Sequence, residues 1–250
     1  MIFYTVIIYH NMSRTNLIQI YNNTKYISER YEKPEKSIKY KYDNLNFNIN
    51  IFNKTANIKV FNEDTLVITK ELYNKTKSNI LVLNMASEYK AGGGVENGAM
   101  AQEEELFRRT NYFQSLTQNY YPLKDFEAVY TKNVTVLKDE YYQIITPLQC
   151  SFIAIAGLRK PILRNNRYNS IDRDIMYKKI EMIFKIAIVN NHTNLVLGAL
   201  GCGVFANPPE EVSDIFNELC QKYCKYFDNI YFAIKSVRDN NFYIFSSKIK

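Results

Sequence analysis

Residues 81–116 read LVLNMASEYKAGGGVENGAMAQEEELFRRTNYFQSL, and most of the structural information in this 250-residue chain lies in that segment. An apolar run over residues 80–83 predicts a buried strand. A glycine triplet, Gly92 to Gly94, follows, with a fourth glycine at Gly98. Because three successive residues lack a Cβ atom, backbone N–H groups can curl around an anion, so we expect an anion-binding loop here.

The same segment predicts a helix that begins after Ala99 and extends to Phe113. Its N-terminus would point at the anion held by the glycine loop and would contribute free N–H groups and the helix dipole. Three carboxylates, Glu103, Glu104 and Glu105, lie in its first turn. Acidic residues favour helix N-termini on structural grounds alone, but a carboxylate beside a bound phosphate is electrostatically unfavourable. The combination therefore indicates a phosphorylated sugar whose glycosidic bond is protonated by the protein.

Gly92-Gly93-Gly94, a spacer over residues 95–101 and Gln102-Glu103-Glu104 resemble the signature of poly(ADP-ribose) glycohydrolases. The surrounding residues, among them Asn84 and Arg108-Arg109, are similar to the compact microbial type of that family. The resemblance implies a macrodomain-like α/β fold. It also implies a metal-independent hydrolase, without a cofactor, that cleaves ribose–ribose O-glycosidic bonds of poly(ADP-ribose) and releases ADP-ribose from the chain end.

The paired glutamates limit the mechanism. Many glycosidases place two carboxylates on opposite sides of the bond, whereas neighbours on a helix diverge by roughly 100° from one backbone. One residue must therefore perform both proton transfers, and the resemblance implies that it is Glu104, with Glu103 as its catalytic partner. Gln102 and Glu103 would orient the ribose hydroxyls, and Asn84 would hold the terminal ribose. The predicted substrate-binding residues are Asn84, Ser87, Gly92, Gly93, Gly94, Val95, Gln102, Gly201, Cys202, Gly203, Val204 and Phe205.

A second glycine loop, residues 198–207, also lies between a predicted strand and a predicted helix. The Gly-x-x-Gly-x-Gly pattern alone is a weak nucleotide signal, but two such loops on one sheet could clamp a diphosphate. The family has a similar run, whose aromatic residue packs on the terminal ribose, and Phe205 matches that position. Ala91 and Leu200 depart from the family pattern, and residues 157–169 match nothing in it.

Elsewhere strands alternate with helices, which favours an α/β fold. Helices are predicted over residues 13–32, from Asp64 or Thr65 to 72, over 171–190 and from Pro208 with Asn207 as N-cap; strands are predicted over 57–61, 128–130, 134–137, 151–156, 195–197, 229–234 and 242–245. We expect a single macrodomain-like domain over residues 57–250, with a mixed β-sheet flanked by helices. Residues 1–56 are predicted to be an N-terminal helical and flexible extension, packed on the domain or leading into it.

Composition narrows the remaining possibilities. A net charge of +7 would suit a polyanionic partner, but the lysines are scattered, so no direct DNA binding is expected. Cys150, Cys202, Cys220 and Cys224 lack metal-ligand spacing and predict reduced thiols, hence an intracellular protein, cytoplasmic or nuclear. Residues 1–9 are apolar but too short to span a membrane and lack a basic flank, so they predict a strand or an extension.

Two alternatives keep the same fold. An ADP-ribose-binding macrodomain reader would bind the ligand without cleaving it, and Gln102-Glu103-Glu104 argues against it because a reader has no use for the acid. A mono-ADP-ribosyl hydrolase would act on ADP-ribosylated proteins but lacks this signature. A third possibility, a basic nucleic-acid-binding protein, would need a clustered basic face.

Overall fold

The computed structural model describes residues 12–45, 55–237 and 239–250. The strands in this part of the chain are β1 (Ile38–Lys41), β2 (Asn57–Phe61), β3 (Leu81–Met85), β4 (Glu127–Lys138), β5 (Ile144–Ile155), β6 (Asn194–Leu197) and β7 (Asn229–Ala233). The helices are α1 (Arg14–Ser28), α2 (Thr65–Thr76), α3 (Gln102–Arg109), α4 (Ser170–Val189), α5 (Pro209–Tyr223) and α6 (Asn241–Lys248).

The described strands form one mixed sheet in the order β1-β4-β5-β3-β6-β7-β2. Strands β5, β3, β6, β7 and β2 run parallel to one another, whereas β4 is antiparallel to both β5 and β1. Carboxyl ends of parallel strands meet at one edge of a sheet, where ligands of open α/β folds bind. The loops that follow β5, β3, β6, β7 and β2 therefore lie side by side along this edge, in that order.

Helices cover both faces of the sheet, and successive side chains of β3 pack against helices on opposite faces. Leu81 and Leu83 pack into a core with α4, α5 and α6, while Val82 packs into a second core with α1, α2 and α3. Successive strand residues point to opposite faces, so a strand buried on both faces has to be apolar throughout, as residues 81–83 are. The predicted mixed α/β fold with helices around the sheet is confirmed.

Two predicted elements are wrong. Residues 242–245 lie in helix α6 rather than in a strand, with Phe245 completely buried against Phe216 and Phe232. A short apolar run cannot by itself distinguish a strand from a buried helix segment. The helix predicted to reach Phe113 ends at Arg109, because Thr110 turns into a bridge with Val136 of β4.

The sequence predicted N-cap residues for two helices, and the structure agrees with one of them. Asp64 caps α2, its carboxylate accepting from the backbone N–H groups of Leu66 and Val67. Asn207 does not cap α5; Pro208 occupies the N-cap position without a side-chain hydrogen bond. The Asn207 side chain instead binds two loops of the site, a tertiary role that local sequence does not encode.

The described part of the predicted N-terminal extension is packed into the fold. Helix α1 buries Leu17 and Tyr21 and lies against α3, and β1 pairs with β4 as an edge strand. The strand proposed for residues 1–9 lies outside the described residues. No helix in the described ranges is long and apolar enough to cross a membrane. The four cysteines are free, and Cys150 and Cys220 are buried.

Candidate active site

The two glycine loops meet over neighbouring strands β3 and β6 and enclose a cavity of about 510 Å³. The predicted residues that line it are Ser87, Gly93, Gly94, Gln102, Glu103, Glu104, Gly201, Gly203, Val204 and Phe205. The other four do not line it: Asn84 and Val95 are buried, and Gly92 and Cys202 form no part of its wall. The structure thus brings both loops and the paired glutamates to one place.

The anion held by the first loop is the protein's own pair of carboxylates. The backbone N–H of Gly92 donates to Glu103 Oε1 at 3.2 Å, and that of Gly94 donates to Glu104 Oε1 at 2.8 Å. The N–H of Gly93 closes a turn onto the carbonyl of Lys90. We expected this loop to bind an anionic group of a ligand; its N–H groups instead position Glu103 and Glu104.

Glycine is required in this loop because of those carboxylates. Gly93 has a φ of +54°, a conformation that other residues rarely adopt. A Cβ atom there would lie 2.4 Å from Glu104 Oε1, and one at Gly92 would lie 2.5 Å from the ring of Phe107. Any side chain at Gly93 would therefore displace the Glu104 carboxylate.

Glu103 is enclosed by donors. Its Oε2 accepts from the N–H of Ser87 at 2.7 Å, and its Oε1 accepts from Asn84 Nδ2 and Tyr121 OH, each at 3.2 Å, as well as from Gly92. Burial raises the pKa of Glu103 to about 7, although the Ser87, Asn84 and Gly92 donors oppose the shift. The negative charge of Glu104 adds to the increase. Both Glu103 oxygens are thus used inside the protein, which suits a positioning role.

Glu104 is placed differently. The Gly94 N–H holds Oε1, while no donor among the described residues reaches Oε2. The residue is 7% exposed and lines the cavity. One oxygen is therefore oriented by the protein and the other is available to a ligand.

The third carboxylate of the run is structural. Glu105 accepts from Arg108 Nη1 at 2.7 Å and from the Tyr142 hydroxyl. Arg108 also donates to the carbonyl of Ala99, and Arg109 pairs with Asp64 at 2.8 Å. These contacts hold the start of α3 against its surroundings.

Gln102 also has a partner in the protein. Its Nε2 donates to the carbonyl of Leu83 at 2.6 Å, and its Oε1 accepts from the N–H of Met85 at 3.0 Å. The amide thereby joins the first turn of α3 to the end of β3. We predicted that Gln102 orients ribose hydroxyls; in the structure its side chain sets the distance between the glutamates and the sheet.

The second loop is held by Asn207. Its Nδ2 donates to the carbonyls of Leu158 and Gly201 at 2.6 and 2.9 Å, and its Oδ1 accepts from the Tyr168 hydroxyl at 2.7 Å. The Asn207 side chain therefore links the second loop to residues 157–169, which the sequence left unassigned, through Leu158 and Tyr168. Gly157 packs against Gly201 so closely that an added Cβ atom would lie 3.0 Å from the Gly201 Cα.

Backbone N–H groups of the second loop remain available. Those of Gly203, Val204 and Phe205 donate no hydrogen bond within the described ranges, and Val204 is 83% exposed. Helix α3 likewise begins at Ala101 without a side-chain cap, beside the same cavity. Free N–H groups at a loop and at a helix N-terminus favour anions.

A second cavity, of about 410 Å³, adjoins the first and shares part of its wall, including Met85, Gln102 and Gly203. It extends over the ends of β7 and β2, past Asp64 and Ala233. Neither this extension nor the Tyr121 contact to Glu103 was predicted. Tyr121 lies eighteen residues beyond Glu103 outside any periodic pattern, so only the folded chain reveals it.

Among the described residues, no group of three or more His, Cys, Asp or Glu side chains is arranged to hold a metal ion.

A mixed sheet with two glycine loops at the carboxyl edge, one of them gripping a Glu–Glu pair, defines a macrodomain-like α/β protein. The profile described as microbial-type PARG, catalytic domain, matches residues 9–139. Since that match spans more than half of the chain, the protein belongs to the microbial-type poly(ADP-ribose) glycohydrolase (PARG) family, as the signature predicted.

Solved structures of bacterial relatives share the fold. Poly(ADP-ribose) glycohydrolase from Thermomonospora curvata is 23% identical, with a TM-score of 0.83 over 94% of this chain and 99% of that chain. The same protein bound to the inhibitor ADP-HPD gives a TM-score of 0.80 at 23% identity over 93% and 99% of the two chains. The Deinococcus radiodurans enzyme in complex with ADP-ribose gives 0.72 at 22% identity over 85% and 93%. A search of curated protein sequences found no match.

Proposed function

We propose that this protein hydrolyses the ribose–ribose O-glycosidic bond of poly(ADP-ribose), releasing ADP-ribose from the chain end, with Glu104 as the general acid and base. The observation that carries the proposal is the placement of Glu104. One of its oxygens is oriented by the Gly94 N–H, and the other is available in a cavity between two glycine loops. Family membership supports the same reaction.

In the proposed reaction a protonated Glu104 donates its proton to the departing 2′ oxygen as the bond to C1″ of the terminal ribose breaks. The positive charge that develops on the terminal ribose is then relieved by a water molecule, whose oxygen bonds to C1″ while its proton passes to the Glu104 carboxylate. Glu104 is thereby returned to its starting state. One positioned acid and base of this kind contributes about 10²–10⁴-fold to a rate.

The contacts of Glu103 support a positioning role in this scheme. Asn84, Ser87 and Tyr121 hold its carboxylate from three directions, directly beside Glu104 on the same helical turn. Asn84 is completely buried, and its Oδ1 has no hydrogen-bond partner in the described structure. Asn84 therefore acts on the terminal ribose through Glu103 rather than by direct contact.

The two adjoining cavities together suit an ADP-ribose unit. The terminal ribose would lie between Glu104 and the ring of Phe205, in the cavity of about 510 Å³. The diphosphate would accept from the N–H groups of residues 203–205 and from the uncapped start of α3. The adenosine would extend into the neighbouring cavity of about 410 Å³. The phosphate-binding role predicted for the first glycine loop thus moves to the second.

The proposal is tested by incubating the protein with purified poly(ADP-ribose) and quantifying released ADP-ribose, for the wild type, Glu104→Gln and Glu96→Gln. Glu96 is a matched control because its carboxylate is exposed and its one ion-pair partner within the described ranges is the exposed Lys90. We expect the wild type and Glu96→Gln to release ADP-ribose and Glu104→Gln to lose about 10²–10⁴-fold in rate. ADP-ribose should still bind to Glu104→Gln.

The alternatives give different results in the same assay. Tight ADP-ribose binding without release by the wild type would identify a reader and contradict the proposal. Release from mono-ADP-ribosylated protein but not from polymer would identify a mono-ADP-ribosyl hydrolase.

A further inference from the structure

A third cavity, of about 300 Å³, lies at the same edge of the sheet and has no part in the scheme above. It lies between the loop after β3, at Glu88 and Tyr89, and the loop after β5, at residues 156–159. Lys179 of α4 and Asp125 complete its wall. The N–H of Leu123 donates to the carbonyl of Glu88 at 2.8 Å and so holds the Glu88 loop in place.

The strand order determines where this cavity lies relative to the others. Strands β5, β3, β6, β7 and β2 follow one another across the sheet. The third cavity lies over β5 and β3, the cavity with Glu104 over β3 and β6, and the cavity assigned to adenosine over β7 and β2. Gly157 lines both the third cavity and the central one. The three cavities therefore form one row with the reacting ribose in the middle.

The wall contains a buried cation. Lys179 is 2% exposed, and its Nζ lies 3.2 Å from Asp125 Oδ1, its only ion-pair partner among the described residues. An ammonium group has three N–H donors, so one carboxylate leaves part of its hydrogen-bonding capacity for a ligand. Burying a charge is unfavourable unless it is paired, and an apolar side chain would pack at this position without that cost.

The rim of the cavity offers a stacking surface and a second cation. Tyr89 is 57% exposed, and the Arg159 guanidinium lies over its ring, 5.6 Å from the centroid, and over the Phe205 ring, 5.7 Å from that centroid. Arg159 thus stands on the boundary between the third cavity and the central one. Exposed aromatic rings stack on bases, and guanidinium groups bind phosphates.

We propose that the third cavity binds the adenosine of the second ADP-ribose unit, the part of the substrate that carries the departing 2′ oxygen. This inference rests on the proposed function, because it takes the terminal unit to occupy the other two cavities. The bond cleaved in the central cavity joins the terminal ribose to that adenosine, so the next group must lie directly beside it. Glu88 and Asp125 supply acceptors for hydroxyl and amino groups, Lys179 supplies donors, and Arg159 faces the following diphosphate.

The test measures the dissociation constants of ADP-ribose and of a purified two-unit ADP-ribose oligomer in the Glu104→Gln background, where cleavage of the oligomer is slowed by about 100-fold or more. We expect the oligomer to bind at least about tenfold more tightly than ADP-ribose, the contribution of one hydrogen bond to a charged group. Lys179→Met should abolish this difference and leave the ADP-ribose constant unchanged. Lys178→Met, on the same helix but paired with Asp174 at the surface, is the matched control and should retain the difference.

Tyr89→Ala, which removes an exposed ring, repeats the test without disturbing a buried ion pair and should also reduce the difference. Equal affinities for the oligomer and ADP-ribose would overturn the inference while leaving the proposed function intact. A loss of affinity for both ligands in Lys179→Met, with Tyr89→Ala unchanged, would overturn it as well. Failure of Glu104→Gln to bind either ligand would instead refute the proposed function, and the third site with it.

Discussion

Two adjacent glutamates have different environments because different numbers of hydrogen-bond donors face them. Glu103 is surrounded by donors from Asn84, Ser87, Gly92 and Tyr121, whereas Glu104 has one donor and a cavity. The sequence predicted that these two residues carry the chemistry, from their spacing to the glycine triplet. It did not predict that the triplet binds the carboxylates, because a glycine run encodes an anion-binding loop without specifying the anion.

The raised pKa of Glu103 predicts how the stability of the folded protein depends on pH. Its pKa is raised from 4.5 to about 7 in the folded protein, so between these pH values the folded state binds more protons than the unfolded state. The free energy of unfolding therefore falls as pH rises through this window, by roughly 3 kcal/mol if the full shift applies. Glu103→Gln lacks this titration, so its melting temperature should rise relative to the wild type between pH 5 and pH 8.

Thermal unfolding at both pH values, monitored by circular dichroism, measures the effect. Glu96→Gln is the control, since its exposed carboxylate should give the same difference from the wild type at pH 5 and pH 8. A difference between Glu103→Gln and the wild type that does not change with pH would show that Glu103 is ionised throughout.

At the scale of elements, long periodic segments were predictable and tertiary connections were not. Helix α4 and strands β2, β3 and β6 lie where the sequence placed them, because burial on defined faces leaves a periodic pattern. The role of Asn207 was missed because its position before a proline matched an N-cap, while its partners lie in other loops. For the same reason residues 157–169 gave no signal.

Asn207→Ala tests whether this side chain shapes the second loop. The substitution leaves the carbonyl of Leu158 without its side-chain donor and the Tyr168 hydroxyl without its acceptor, whereas the Gly201 carbonyl keeps the backbone N–H of residue 207; each buried unpaired group costs about 1–3 kcal/mol. We expect ADP-ribose to bind roughly tenfold more weakly, while kcat at saturating polymer changes less because Glu104 is held by the other loop. Calorimetric binding and steady-state kinetics give the two quantities.

Asn190→Ala is the comparison, since Asn190 caps the end of α4 through Ile186 and lies away from all three cavities. It should lower the melting temperature without weakening ADP-ribose binding. A fall in kcat for Asn207→Ala that exceeds the loss of affinity would contradict the assignment of the second loop to binding.

At the scale of the molecule, the N-terminal residues are part of the structural support of the site. Thr24 donates to the carbonyl of Arg108 at the end of α3, and Lys138 Nζ donates to the carbonyl of Ile20. The sequence predicted a boundary between an N-terminal extension, residues 1–56, and the domain, residues 57–250. Composition could not show that β1 completes the sheet edge there.

Deletion of residues 1–56 is therefore expected to destabilise the whole domain. It removes the buried side chains of Leu17, Tyr21 and Ile27, each worth about 1.5–3 kcal/mol. A chain of this size loses about 2–4 °C in melting temperature per kcal/mol, so the fragment should melt more than about 10 °C lower or fail to fold. A fragment of residues 57–250 that melts like the full chain would contradict this expectation and support the predicted boundary at residues 56 and 57.

We expect the first glycine loop to position Glu104 rather than to bind the substrate. Gly93→Ala tests this expectation, because the added Cβ atom would lie 2.4 Å from Glu104 Oε1. Measuring kcat on poly(ADP-ribose) and the dissociation constant of ADP-ribose for this one variant separates the two roles. We expect kcat to fall by about 100-fold or more while the dissociation constant stays within about threefold of the wild type. A dissociation constant that weakens as much as kcat falls would show that the loop binds the ligand itself.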